Sequence, residues 1–192
     1  MKAFISLLTT ACVLLTAHGC TQRSPLAGLT ENHEILFSAE YTNGFTPYQP
    51  LRRGFYVDGS GRVYTYESGL HDAPWVLSEN GSYTEKELLE LFTRSRVFKG
   101  RIAADVLYQQ CCLIGPSATG SLRERPTTSY DRGITGVYAY ILDNQSHRYR
   151  RVTLRLLGDQ DVENIAPEAK LLHAWLLDIA RAHKIDWLVG AS

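Results

Sequence analysis

Gly54-Phe55-Tyr56-Val57-Asp58-Gly59-Ser60-Gly61-Arg62-Val63-Tyr64-Thr65-Tyr66 is the stretch that decides the fold class. Aromatic and β-branched residues lie on both sides of a glycine-rich turn, which is the pattern of a β-hairpin. Upstream, Ile35, Phe37, Ala39 and Tyr41 alternate with Glu34, Leu36, Ser38 and Glu40, so a first strand precedes the hairpin and buries its odd-numbered face. Asn43-Gly44 ends that strand with a turn dipeptide, and Pro47 and Pro50 mark an aromatic loop. Downstream, Gly69 to Gly81 reads as loop with a short strand at Trp75-Val76-Leu77. A helix then opens at Thr84, with Glu87 completing a capping box and Tyr83 and Leu88 placed to form a hydrophobic staple. Leu88, Leu91 and Phe92 give it an inward stripe up to about Ser95.

The second half echoes the first in outline. A strand is expected from Val106 to Ile114, then a polar loop from Gly115 to Gly133, then a hairpin with arms Val137 to Leu142 and Tyr149 to Leu157. Alternation places Val137, Ala139 and Ile141 on the same side as Val152, Leu154 and Leu156, so that side packs on the core. The other side carries Tyr138, Tyr140, Arg151, Thr153 and Arg155. A last helix starts at Pro167 and buries Leu172, Trp175, Leu176 and Ile179, ending near His183. These elements predict an α+β fold: an antiparallel β-sheet of two hairpins plus flanking strands, two main helices packed on one face, and a strand-hairpin-helix pseudo-repeat.

The first residues carry a different message. Met1-Lys2 is followed by an apolar run to Ala17, the build of a secretory signal. The run is shorter than the ~20 apolar residues of a spanning helix. Its end, Leu15-Thr16-Ala17-His18-Gly19-Cys20, resembles the lipobox of bacterial lipoproteins; Gly19 and Cys20 fit, whereas Ala17 stands where leucine is usual and His18 where a small residue is usual. The resemblance implies cleavage before Cys20, with diacylglycerol on its thiol and an acyl chain on its new amino group, and no separate cofactor. Thr21 is not the aspartate that retains such proteins at the inner membrane, so in a Gram-negative envelope the resemblance implies the periplasmic face of the outer membrane. An ordinary signal peptide cut near Ala17 or Gly19 is the alternative. The expected organisation is a signal peptide over 1–19, a polar tether over 20–32 and one domain over 33–192.

The chain has 20 basic and 20 acidic residues; Lys2 is the only charge in the signal, so removing it leaves 19 against 20. That balance argues against a general nucleic-acid surface. Cys12 leaves with the signal and Cys20 is taken by lipid, so Cys111 and Cys112 remain in an oxidising compartment. They either form a strained vicinal disulfide or stay as two thiols in a strand. No spaced histidine or second cysteine pair suggests zinc. No nucleophile elbow or phosphate loop is present. His71-Asp72 places a histidine beside an acid within a loop, and His173 and His183 have structural explanations on the last helix.

Eleven tyrosines are present, many at hairpin positions, where they serve strand propensity or recognition. The outward side of the second hairpin, Tyr138, Tyr140, Arg151 and Arg155, with Arg123, Arg125 and Tyr130 in the adjoining loop, is the candidate binding surface for an envelope protein. The sequence therefore points to a membrane-anchored, non-enzymatic binding module of inhibitor, immunity or accessory type. The rival reading is a small periplasmic hydrolase or redox protein using His71 and Asp72 or Cys111 and Cys112.

Overall fold

Asp58 organises the hairpin that the glycines announce. Its carboxylate accepts from the Ser60 N–H at 3.0 Å, the Ser60 hydroxyl at 2.7 Å and the Arg62 N–H at 2.8 Å. Gly61 sits at φ +79°, and a Cβ there would lie 2.8 Å from the Ile102 carbonyl oxygen, so both conformation and space call for glycine. The flanking strands, β2 (Arg52–Asp58) and β3 (Arg62–Ser68), pair with Val57 opposite Val63.

The computed structural model describes residues 35–43, 52–68, 81–92, 95–127 and 132–185. The signal, Cys20, the tether, the loop with Pro47 and Pro50, His71, Asp72, Trp75 to Leu77 and Tyr130 lie outside them. The other described strands are β1 (Ile35–Thr42), β4 (Ser82–Tyr83), β5 (Val97–Arg101), β6 (Leu122–Arg125), β7 (Ile134–Asp143), β8 (Arg148–Gly158) and β9 (Asp161–Asn164). With α1 (Glu85–Phe92), α2 (Ala104–Ala118) and α3 (Pro167–Ala182), the described residues make a mostly antiparallel nine-stranded sheet with three helices. The order is β5-β3-β2-β1-β7-β8-β9-β6, with β4 added on β8.

One buried cluster joins Phe37, Ala39, Phe55, Val57, Val63, Val137, Ala139, Val152 and Leu154 of the sheet to Leu107 and Ile114 of α2 and Leu172, Leu176 and Ile179 of α3. A second joins Tyr56, Tyr64, Tyr66, Tyr138 and Tyr140 to Leu88 and Phe92 of α1. Alternation along each strand makes these the two faces of the sheet. The expectation of two main helices on one face is therefore corrected: α3 serves the aliphatic face and α1 the tyrosine face. Three-strand meanders β1-β2-β3 and β7-β8-β9 do meet at the β1–β7 pairing, but the helices that follow them go to opposite faces.

The capping box of α1 forms: the Thr84 N–H donates to Glu87 at 2.7 Å and the Glu87 N–H to the Thr84 hydroxyl at 3.2 Å. The expected strand from Val106 to Ile114 is instead the middle of α2. Leu107, Cys111, Ile114 and Ala118 recur at helical spacing and all meet the aliphatic cluster, a stripe that the β-branched and aromatic residues around it disguised. Pro116 lies in its last turn, and the Ser117 hydroxyl donates back to the Leu113 carbonyl at 2.8 Å. Part of the expected loop from Gly115 to Gly133 is strand β6.

In β1, Leu36 is an extra residue between the Ile35–Asp58 and Phe37–Val57 pairs, which turns Ile35 to the tyrosine face. A second irregularity re-aims the end of the second hairpin. Tyr138 pairs with Thr153 but Val137 pairs with Arg155, so Leu154 is an extra residue in β8. Beyond it the faces exchange: Leu156 meets the tyrosine cluster and Arg155 moves to the side of α3. Simple alternation had assigned both the other way.

Candidate functional site

On the tyrosine face the chemistry is concentrated around Glu40, a carboxylate only 6% exposed in the central strand. Both of its cross-strand neighbours are glycines, Gly54 in β2 and Gly136 in β7. The rings of Tyr66 and Tyr138 lie over them: a Cβ on Gly54 would meet the Tyr66 hydroxyl at 2.6 Å and one on Gly136 would run into the Tyr138 hydroxyl. Tyr66 uses this space to donate to Glu40 at 3.1 Å. Arg52 donates to the same carboxylate oxygen through Nε at 2.9 Å and also through Nη2, while Arg151 Nη1 stands 3.8 Å from the other oxygen. The guanidinium of Arg151 also stacks on Tyr138 at 4.3 Å, and that of Arg52 on Phe92 at 5.4 Å. Ser38 and Tyr140 close the group with a 3.0 Å hydroxyl contact.

Burial first, and the Glu40 carboxylate second, push the Tyr66, Tyr138 and Tyr140 hydroxyls above the ordinary tyrosine range. They remain protonated donors at neutral pH. Tyr138 is 6% exposed and Tyr140 3%, so the outward surface expected of the second hairpin is corrected. Phe92 of α1 reaches Tyr140 with ring centres 6.3 Å apart, and Tyr83 reaches it at 6.5 Å. A row of polar-tipped side chains on one strand face looks solvent-directed in sequence; a short helix and a buried acid turn it into a second core.

Arg123 and Arg125 are found elsewhere, at the edge of the sheet. Residues two apart on β6, they project to one side and both reach Glu163 of β9, at 2.5 Å and 2.8 Å. Lys170 of α3 stands 3.7 Å from the other Glu163 oxygen. Hydrogen bonding from Arg123 is the leading cause that lowers Glu163 to about 2. All three cations are about half exposed, and together they leave an excess of two positive charges over the one carboxylate. Arg155 lies inside this cluster, with Nη2 2.7 Å from Asp161 Oδ1. That contact is close enough for charge but off the hydrogen-bond angle; Asp161 Oδ1, Arg155 Nη1 and His173 Nε2 are buried atoms with no hydrogen bond. Burial, then Arg155, lowers the His173 imidazole below its usual value, which keeps it neutral at pH 7. The candidate surface residues thus divide: Tyr138, Tyr140 and Arg151 belong to the buried face, and Arg123, Arg125 and Arg155 to the cluster beside α3.

Cys111 and Cys112 are adjacent helical residues, no disulfide joins them, and successive side chains on a helix diverge by about 100°. Burial, with a smaller contribution from Cys112, pushes the Cys111 thiol up to about 12, which opposes thiolate chemistry at neutral pH. No group of three or more metal-ligating side chains occurs among the described residues. No helix among them is long and apolar enough to cross a membrane. A groove of about 430 Å³ lies between the β2-β3-β5 edge and the end of α3, with Arg53, Glu67, Lys99 and Lys184 on its walls. Sequence reasoning missed Glu40, Glu163 and Lys170. The pairing of Glu40 with two glycines is invisible until the register is known, whereas Glu163 and Lys170 needed the placement of β9 and α3. Comparison with protein-family models, curated protein sequences and solved structures returned no match.

Proposed function

We propose that the chain is a lipid-anchored protein of the bacterial cell envelope, acylated on Cys20 and held at the periplasmic face of the outer membrane. Its domain acts as a non-enzymatic binding module of inhibitor, immunity or accessory type. The anchor rests on the apolar run that ends at Gly19-Cys20. The binding reading is carried by one observation, the half-exposed Arg123, Arg125 and Lys170 gathered on a single carboxylate, because surface arginines that exceed their acid partners are suited to charge-assisted contacts with a partner.

Three measurements test it. The intact mass of the protein from the membrane fraction should equal a chain starting at Cys20 plus diacylglycerol and one acyl chain; a different start or an absent acyl mass removes the anchor. Cys20→Ser should leave uncleaved precursor or release the domain. A photoreactive amino acid at Arg123 should then give one discrete crosslinked species in intact cells, lost when Arg125 is also replaced. A ladder of nonspecific products insensitive to that replacement removes the binding reading.

A further inference from the structure

We infer that the outer edge of β6 is a docking edge that takes an extended acidic segment of a partner protein by strand addition. The inference deepens the binding reading and rests on it. β6 ends the sheet on this side, and among the described residues only β9 pairs with it, so one row of its backbone N–H and C=O groups is directed away from the sheet. Every residue of β6 is exposed, Leu122 at 54%, and Ile165, whose N–H bonds the Ser121 carbonyl beside it, is 44% exposed.

Alternation fixes what such a strand should look like. Arg123 and Arg125 project to the side of α3 and Lys170, while Leu122 and Glu124 project to the other. A docked strand that presents acids on the α3 side would meet the two uncompensated positive charges, and apolar residues on its reverse would lie beside Leu122. Charged edges ordinarily discourage edge-to-edge pairing. Here the discouragement is selective. A two-fold antiparallel pairing of two copies would keep Arg123 and Arg125 on the same face as the same arginines of the second copy, cation against cation. An acidic strand removes that repulsion, which identifies the occupant as a partner segment and not another copy of this chain.

The probe is a short blocked peptide of alternating glutamate and valine carrying a fluorophore, titrated into the full-length protein in neutral detergent. Saturable binding that weakens with salt is expected, as is a loss of about tenfold in affinity in R123Q/R125Q. K99Q, on the opposite edge, should leave the affinity unchanged. N-methylation of alternate peptide amides should abolish binding, because it removes the strand donors. Amide exchange of β6 in the unaltered protein should slow when the peptide is bound, a readout independent of whether the variants fold. Absence of saturable binding overturns the inference, as does equal binding by the N-methylated peptide or unchanged exchange at β6. Displacement of the peptide by phosphatidylglycerol mixed into the detergent micelles, through the same arginines, would also overturn it, assigning the edge to the membrane surface. The acylation state of Cys20 does not enter this assay, so its failure leaves the anchor untouched, and the intact mass decides the anchor alone.

Discussion

The two faces of the sheet solve the same burial problem with different chemistry. The aliphatic face, under α2 and α3, is filled by residues such as Phe37, Val57, Leu154, Leu172 and Leu176, and it depends on shape and apolar area. The tyrosine face, under α1, buries a comparable row of large side chains but also a carboxylate and several hydroxyls, with two half-buried guanidinium groups against them. A larger helical cover suits the first because apolar contacts are non-directional. The second needs less cover because Tyr66 and Tyr138 lie over glycines and the Tyr66 and Tyr140 hydroxyls find partners in Glu40 and Ser38 of the central strand. A face dense in tyrosine and arginine is not thereby a surface: the acid in its middle decides.

Removing that acid should have the largest effect on the tyrosine face. Glu40→Ala leaves Arg52 without its carboxylate in a buried setting and should cost about 3–5 kcal/mol, measured by urea unfolding. Glu40→Met combined with Arg52→Met should recover much of the loss, since it removes both charges together. On the other face, Leu172→Ala should cost about 2–5 kcal/mol with no such rescue, because a cavity has no electrostatic partner. If the double replacement at Glu40 and Arg52 is no better than the single one, the face does not depend on charge balance.

Next in size are the glycines. Gly54→Ala drives a methyl against the Ala39 carbonyl oxygen at 2.5 Å and the Tyr66 hydroxyl, and should destabilise by about 1–3 kcal/mol. Gly115→Ala, where a Cβ meets nothing within 4 Å, should not, and unfolding of the pair side by side separates steric need from backbone entropy.

The faces should also part in alkali. Tyr66, Tyr138 and Tyr140 have folded values raised above the unfolded value of ~10, so their contribution to stability is fully present below that pH. It is lost as pH rises beyond ~10 towards the folded values. Tyrosinate absorbance should therefore rise in two phases, the second coinciding with loss of the sheet signal. A single gradual rise with the sheet intact would show that the hydroxyls are not confined.

The smallest effect is expected at the end of the aliphatic cover. α3 ends in a paired motif, with the Ile185 N–H bonded to the Ala180 carbonyl at 2.8 Å and the Lys184 N–H to that of Arg181 at 3.2 Å. Lys184 holds φ +54° there, a conformation that suits glycine. Lys184→Gly should raise stability by roughly 0.5–1 kcal/mol, the relief of strain exceeding the entropy glycine adds to the unfolded chain. A fall in the midpoint of thermal unfolding would contradict this.

Several elements were legible without coordinates, and each carries its own local cause. The Asp58 to Gly61 turn, the Thr84–Glu87 capping box and the start of α3 at Pro167 all depend on side chains within a few residues of one another. The stripe on α3 was equally readable, including Trp175, whose ring meets Phe37 edge-on at 5.0 Å. α2 was misread because Val106-Leu107-Tyr108 has strand propensity, whereas burial of Leu107 and Ile114 against the sheet selects the helix. Of the residues expected to face outward, Arg123 and Arg125 are exposed, but Tyr138 and Tyr140 are not.

By itself, then, the amino-acid order determined the antiparallel class, the two hairpins, the first and last helices and the charge balance of the chain, because turns, caps and periodicity act over a few residues. Only the tertiary structure decided which side of each strand is inside, where Leu36 and Leu154 interrupt alternation and reverse the faces, and which partners a charge meets. Those outcomes depend on contacts between residues far apart in the chain. Glu40 with Arg151 and Arg125 with Glu163 become neighbours only when strands from both halves are laid side by side.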